Sequence, residues 1–244
     1  MLFGLIGKSI NYSFSKKYFT DKFLNKNLLN CSYENFDIKN IEEFSKIITS
    51  QKNLKGLNVT IPYKEEIIPF LDKLSKKAKK IKAVNTIKIL KNNKTKGYNT
   101  DYYGFKKSLQ PLLKKHHTKA LILGNGGASK AIAFALSCLK IEYKKVYRTP
   151  KNNQLGYLDL NASIFAEYTI IINTTPLGTF PNLEEAPPIP YQYFTDRHIA
   201  FDLVYNPEET LFLKNAIIKG AVTKNGYEML VYQAEKSWKI WNKN

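Results

Sequence analysis

Lys119-Ala120-Leu121-Ile122-Leu123-Gly124-Asn125-Gly126-Gly127-Ala128-Ser129-Lys130 is a short apolar strand, a glycine turn and the opening of a helix that Ala131 to Leu139 continues. A dinucleotide site needs that order of elements. The glycines let the backbone turn tightly and approach a pyrophosphate, and the free N–H groups at the helix start meet its charge. Ser129 stands where the usual fingerprint has a third glycine, and its small side chain still permits close packing. The next strand, 143–147, ends in Arg148-Thr149, where an NAD-type site carries an acidic residue for the ribose hydroxyls. An arginine there suits a 2′-phosphate instead. A surface arginine is the plainer reading, but only Arg148 and Arg197 occur in this lysine-rich chain, so the turn and Arg148 together point to NADP(H).

Downstream of the turn, apolar strands at 168–172 and 199–204 run into the loops Asn173-Thr174-Thr175-Pro176-Leu177-Gly178 and Tyr205-Asn206-Pro207, placed to line a cofactor cleft. The proline-rich segment 181–190 reads as a surface connection. A helix over 211–219, a strand at 221–223 and an amphipathic helix from Asn225-Gly226-Tyr227 through Gln233 complete the chain, and Gln233 alone is an ambiguous surface residue.

Upstream, strands at 2–6, 33–38 and 54–61 alternate with helices ending near Lys26 and spanning 41–50, a βαβαβ order that predicts a parallel sheet covered by helices on both faces. Ser13 and Ser15 precede or open the first helix; they suit capping and equally suit holding a carboxylate at a helix N-terminus. In Leu54-Lys55-Gly56-Leu57-Asn58-Val59-Thr60-Ile61-Pro62-Tyr63-Lys64, Pro62 favours extended geometry at Ile61. Leu57, Val59 and Ile61 then alternate with Asn58 and Thr60, and Lys64 follows the turn. A solvated lysine after a buried strand is the plain reading of Lys64, and a chemical group at the mouth of the fold is the other. The basic run Ser75 to Lys82 predicts the solvated face of a helix whose inner face carries Leu71, Leu74, Ala78 and Ile81. A hairpin is expected from 83–90 back through 97–101, and it leaves Asn85, Asn99 and Asp101 at strand ends. Such residues form turns and caps, and they also bind hydroxylated ligands. A helix over 102–113 leads into the glycine-turn unit.

The 244 residues and 43% hydrophobic content are ample for one large or two modest cores. A formal net charge of +18 would suit nucleic acid, but the charge is almost all lysine and is scattered, whereas base readers rely on arginine forks. Cys31 and Cys138 form neither a disulfide framework nor a metal motif, so no metal is expected and a reducing cytoplasm fits. The start reads as a strand rather than a signal peptide, and no apolar run approaches a membrane span.

Taken in order, Ser13 and Ser15, Asn58-Val59-Thr60-Ile61-Pro62-Tyr63-Lys64, Ala83-Val84-Asn85-Thr86, Asn99-Thr100-Asp101, the 124–128 turn, Arg148-Thr149 and the Asn225-to-Gln233 segment resemble the shikimate dehydrogenase family over nearly the whole chain. The resemblance implies two α/β domains. The first, 1–101 plus 226–244, is a parallel-sheet substrate domain to which the C-terminal helix returns; the second, 102–225, is Rossmann-like and binds NADP. It implies reversible NADPH-dependent reduction of 3-dehydroshikimate to shikimate, with Lys64 and Asp101 as the catalytic pair. Ser13, Ser15, Thr60, Asn85, Tyr205 and Gln233 would surround the substrate. Gly124, Asn125, Gly126, Gly127, Ala128, Arg148, Thr149 and Gly226 would hold the cofactor. A cytoplasmic monomer or homodimer is implied, with a small-molecule substrate and no specific nucleic acid. The chain departs from the family pattern at Tyr12 (usually His), Lys16 (usually Pro), Thr179 (usually Met) and in the short segment between Arg148 and Asn173, which leaves little room for the helix often found there. A quinate- or NAD-using relative, a catalytically silent binding protein and a cationic nucleic-acid binder are the competing readings; Arg148, the Lys64 and Asp101 pair, and the scatter of the lysines weigh against them in turn.

Overall fold

The computed structural model describes residues 1–10 and 13–243; the departure at Tyr12 lies outside them. The chain divides into two compact units, Met1–Thr100 with Ala234–Asn244, and Asp101–Gln233. Against the expected division, Asp101 and residues 226–233 group with the second unit. Their packing explains this. A Cβ on Gly104 would overlap the Met229 carbonyl and sit 3.1 Å from the Gln233 nitrogen, and the Lys107 ammonium lies 4.4 Å from the centre of the Tyr232 ring.

In the first unit, β1 (Leu2–Gly7), α1 (Phe14–Asn25), β2 (Ser32–Asp37), α2 (Phe44–Ser50) and β3 (Leu54–Val59) realise the predicted alternation, and β1 pairs in parallel with β2 and β3. Next come β4 (Lys73–Leu74), α3 (Lys76–Ile81), β5 (Thr86–Ile89) and β6 (Thr95–Tyr98), giving the order β2-β1-β3-β5-β6-β4. The expected hairpin is β5–β6, and it makes the sheet mixed rather than wholly parallel: β5 runs antiparallel to β3 and to β6. Two further expectations are corrected. β3 ends at Val59 and Ile61 is 71% exposed, because the chain has already entered the turn that carries Lys64. Leu71 and Leu74 precede α3 rather than lying on it, since Ser75 caps the helix by accepting from the Ala78 N–H (3.2 Å) while Leu74 pairs with Gly97 of β6.

Alternation along the strands gives this sheet two apolar faces. Ile6, Leu57, Val59 and Ile87 pack with Ile41, Phe44 and Ile67 on one face. On the other, Phe3 and Leu5 meet Phe19 and Phe23 of α1 and Trp241 of the last helix. Trp241 stacks on Phe3 at 4.9 Å and donates its indole N–H to the Ile87 carbonyl (2.9 Å). Gly56 is required there, because any Cβ would enter the Trp241 ring.

The second unit contains α4 (Asp101–Leu109), β7 (Lys119–Leu123), α5 (Gly127–Cys138), β8 (Glu142–Tyr147), β9 (Leu155–Gly156), α6 (Ala162–Glu167), β10 (Ile170–Asn173), β11 (Ile199–Asp202), α7 (Leu211–Ile217), β12 (Val222–Lys224) and the first half of α8 (Tyr227–Trp241). All its strand pairs are parallel, in the order β12-β11-β10-β7-β8-β9. Read from β9, this is the doubly wound order that reverses between β7 and β10, and ligands of such sheets bind beyond the strand C-termini at that reversal. The central strands are buried on both faces, as their unbroken Leu and Ile runs require. The short segment after Arg148 does hold structure: β9 and the six-residue α6, which starts where Asn161 Oδ1 accepts from the Ile164 N–H (3.1 Å).

All three histidines of the chain lie in this unit. His198 accepts the Thr195 N–H at Nδ1 (3.1 Å) and places Nε2 2.9 Å from the Phe165 carbonyl; His117 accepts the Lys114 N–H at Nδ1 (2.8 Å) and places Nε2 3.0 Å from the Arg197 carbonyl. Each geometry selects the neutral ring with its proton on Nε2. Burial lowers both pKa values, outweighing the carbonyl partners that would raise them.

Candidate active site

In the first unit, the end of β3, the 83–86 segment and Asn99-Thr100 are tied together around Asn85. The Lys64 carbonyl accepts from Val84 N (2.7 Å), and the Asn85 carbonyl accepts from Val59 N (2.9 Å). Asn85 Oδ1 takes the Thr100 N–H (2.6 Å), while its Nδ2 donates to Thr100 Oγ1 (3.0 Å). Thr60 N bonds to the Ile6 carbonyl (2.9 Å), so β1 also fixes this corner. The half-buried Lys64 leaves the same corner on the turn after Thr60.

Beneath Asn85 lies a buried polar network that sequence reasoning did not assemble. Asn58 Nδ2 lies 3.1 Å from the Asn85 carbonyl, 3.3 Å from Thr86 Oγ1 and 3.1 Å from Ser237 Oγ, and its Oδ1 accepts from the Tyr33 hydroxyl (2.8 Å). Burial, opposed by the nearby Ser15 hydroxyl, raises the Tyr33 phenol pKa far above its ordinary range. A hydroxyl network of this kind holds its members in single rotamers. It links Tyr33 of β2 to Asn85. Ser237 carries a faint sequence signal, one helical turn beyond Gln233; Tyr33 carries none.

Ser13 caps α1, its Oγ accepting from Lys16 N (3.3 Å). Proline, usual at position 16 in the resembled family, has no N–H to give, so the lysine found here creates the cap bond. The Ser13 hydroxyl proton is not consumed by it. The Lys16 ammonium itself pairs with Glu34 at the surface (2.8 Å).

In the second unit, Gly124 follows β7 with φ +105° and its N–H bonds to the Val146 carbonyl (3.1 Å); only glycine suits that conformation, and a Cβ would also crowd Thr174. A Cβ on Gly126 would meet nothing within 4 Å, so the turn is open at the point where a pyrophosphate would approach. Gly126 is the N-cap of α5, with Gly127 and Ala128 in its first turn. Ser129 is fully buried and its Oγ donates to the Gly126 carbonyl (2.8 Å), so this third-glycine substitute packs closely and adds a bond. Arg148 and Thr149 are exposed just past β8. Asp101, buried, is the first residue of α4; Gln233, also buried, lies on α8. Tyr205 follows β11, and burial raises its phenol pKa. Gly226 donates to the Val204 carbonyl (2.9 Å), and a side chain there would overlap the Leu203 carbonyl, so it holds the segment carrying Tyr205.

Asp202, which sequence reasoning passed over, anchors the loops at the ends of β10 and β11. It accepts from Asn173 Nδ2 (3.0 Å), Val204 N (2.9 Å) and Thr210 Oγ1 (2.6 Å). Burial outweighs these three donors and pushes its carboxyl up to about 6. Because the folded state keeps this proton where the unfolded chain releases it, stability falls as pH rises from about 4 to about 6. Asp202→Asn keeps one acceptor oxygen for Asn173 Nδ2 and Val204 N, turns an NH2 donor towards Thr210 Oγ1, and removes that slope. Its stability relative to the parent should therefore be roughly 3 kcal/mol better at pH 7.5 than at pH 3.5, the equivalent of a two-unit shift. Paired urea titrations measure this difference, in which the contributions of the histidines cancel; a pH-independent difference would contradict it.

The family described as "Shikimate dehydrogenase substrate binding domain" matches residues 5–87. A curated shikimate dehydrogenase (NADP(+)) of Methanococcus aeolicus is 39% identical over 98% of this chain and 91% of its own length. One from Clostridium botulinum is 38% identical over 98% and 95%. Among solved structures, shikimate dehydrogenase from Aquifex aeolicus superposes with TM-score 0.86 at 35% identity, covering 99% of this chain and 92% of that one. The Thermus thermophilus enzyme, solved with NADP(H) and shikimate, gives 0.87 at 28% identity over 99% and 93%.

Proposed function

The chain belongs to the shikimate dehydrogenase family, and from that membership we propose that it reversibly reduces 3-dehydroshikimate to shikimate with NADPH, as an oxidoreductase acting on a CH–OH group in the route to aromatic amino acids. The observation that carries this reading is the agreement of two independent parts: the substrate-domain match over residues 5–87, and an open glycine turn at the reversal point of a doubly wound sheet.

The residues fit the cofactor. Gly124, Asn125, Gly126, Gly127 and Ala128 would hold the pyrophosphate at the N-terminus of α5, Arg148 and Thr149 would hold the 2′-phosphate, and Gly226 would shape the backbone on the cofactor side. NADPH, when bound, supplies the hydride. Ser13 and Ser15 donate hydroxyl protons to the substrate carboxylate, and Thr60, Asn85 and Gln233 bond its carboxylate or hydroxyls beside Tyr205. The Lys64 ammonium stabilises the negative charge that grows on the carbonyl oxygen and protonates it, and the Asp101 carboxylate orients that ammonium. In the reverse direction the neutral Lys64 amine takes the hydroxyl proton. The protein acts on a small molecule, and no helix among the described residues is long and apolar enough to cross a membrane. We place it in the cytoplasm as a monomer or homodimer, with no specific nucleic acid.

The test is spectrophotometric: purified protein, shikimate or quinate, and NADP⁺ or NAD⁺ in all four combinations. NADP⁺ reduction with shikimate is the expected result, and no turnover of shikimate with either nicotinamide would overturn the reading.

A further inference from the structure

We propose that Asp37, the last residue of β2, is a positioning residue for substrate: its carboxylate fixes the backbone at Ser9 and Ile10, between the Thr60 corner and the serines at the start of α1; this rests on the reading of the first unit as a shikimate site. Asp37 Oδ1 accepts from Ser9 N (2.9 Å) and its Oδ2 from Ile10 N (3.4 Å). Two more residues of β2 hold the same stretch of chain. Asn35 Nδ2 donates to the Ile10 carbonyl (3.0 Å), and Glu34 pairs with the Lys16 ammonium (2.8 Å). β2 therefore grips the chain on both sides of Ser13, at residues 9 and 10 before it and at residue 16 after it.

The backbone shows why an anchor is needed there. Ser9 has φ +59°, in the left-handed region that a residue other than glycine enters only at a cost. The N–H groups of Ser9 and Ile10 both end on one carboxylate, and such charge-assisted bonds offset that cost. What the anchor supports is the substrate corner. A Cβ on Gly7 would lie 2.5 Å from a methyl of Ile10 and 2.5 Å from the methyl of Thr60, so both side chains pack over this bare position at the end of β1. Released from Asp37, Ser9 relaxes towards the commoner backbone regions, Ile10 lifts from Gly7, and Thr60 loses a neighbour that confines it. Asp37 is itself exposed, so its truncation opens no cavity.

Steady-state NADP⁺ reduction by the whole protein, with shikimate and NADP⁺ varied in turn, tests this. Asp37→Ala should raise KM for shikimate about tenfold, the loss of one charge-assisted anchor, while kcat stays within about threefold and KM for NADP⁺ within about twofold, because the glycine turn belongs to the other unit. Adding Ser9→Gly to Asp37→Ala should recover most of the lost shikimate KM, since glycine takes the left-handed conformation without help from the carboxylate. Asp37→Asn keeps an acceptor for Ser9 N; its shikimate KM should lie between those of the parent and the alanine variant, and it carries the test if the alanine variant does not fold. An unchanged shikimate KM, equal rises in both KM values, or no recovery on adding Ser9→Gly would overturn the role of Asp37 while leaving the reaction intact. A parent protein that oxidises shikimate with neither nicotinamide would overturn both.

Discussion

Lys64→Ala is expected to fold as the parent does and to lose about 10²- to 10⁴-fold in kcat for NADP⁺-linked shikimate oxidation, the usual worth of a positioned general acid–base. Folding should survive, because the main-chain carbonyl of this residue accepts from Val84 N at 2.7 Å whatever the side chain. Lys64 is half-buried on the turn rather than part of a core, so truncation opens no cavity among apolar groups. Binding of shikimate, followed by equilibrium titration, should change far less than kcat, since the serines and Asn85 remain. Lys64→Arg should be nearly as slow as the alanine variant: a guanidinium keeps the charge but does not release its proton at working pH. Recovery of normal turnover in a correctly folded Lys64→Ala protein would remove this residue from the mechanism.

The second large effect is expected at Asn58, which touches no ligand in the proposed reaction. Asn58→Ala leaves the Tyr33 hydroxyl, the Asn85 carbonyl and the hydroxyls of Thr86 and Ser237 without their shared partner in a region closed to water. Unmade bonds at buried groups cost about 1–3 kcal/mol each, and partial rearrangement among the hydroxyls brings the total to about 3–5 kcal/mol. For a chain of this size each kcal/mol lowers Tm by roughly 2–4 °C, so a fall of about 10 °C is the expected reading. The same variant should raise KM for shikimate more than it lowers kcat, because Asn85 loses a support while Lys64 keeps its main-chain anchor. A melting temperature within about 2 °C of the parent would show that the network is not structural.

These two residues show how unevenly the site was written in the sequence. Lys64 by itself read as a solvated lysine after a buried strand, and its proposed role came only from the resemblance of Asn58 to Lys64, with the other motifs in order, to a known family. Asn58 was read correctly as facing away from Leu57 and Val59, but its importance was invisible. Its partners lie 25, 27 and 179 positions away, and only the close approach of β2, β5 and the last helix to β3 brings them within bonding distance. Asp202 lay inside the strand expected over 199–204, and only the fold makes Asn173, Val204 and Thr210 converge on it.

By itself the sequence determined what short-range physics controls: the strand, glycine turn and helix at 119–139, the β5–β6 hairpin, the βαβ alternation of both units and the residue types at the candidate site. The 3.6- and 2-residue periods and the freedom of glycine operate between near neighbours, so these features survive without any knowledge of the fold. Tertiary structure alone decided the strand orders, the antiparallel turn of the first sheet at β5, the end of β3 before Ile61 and the division of α8 between units at Gln233. Each depends on which distant surfaces must be buried together and which buried polar groups must find partners, as Gly56 beneath Trp241 and Gly104 beneath Met229 illustrate. Those requirements arise only when the chain has closed on itself.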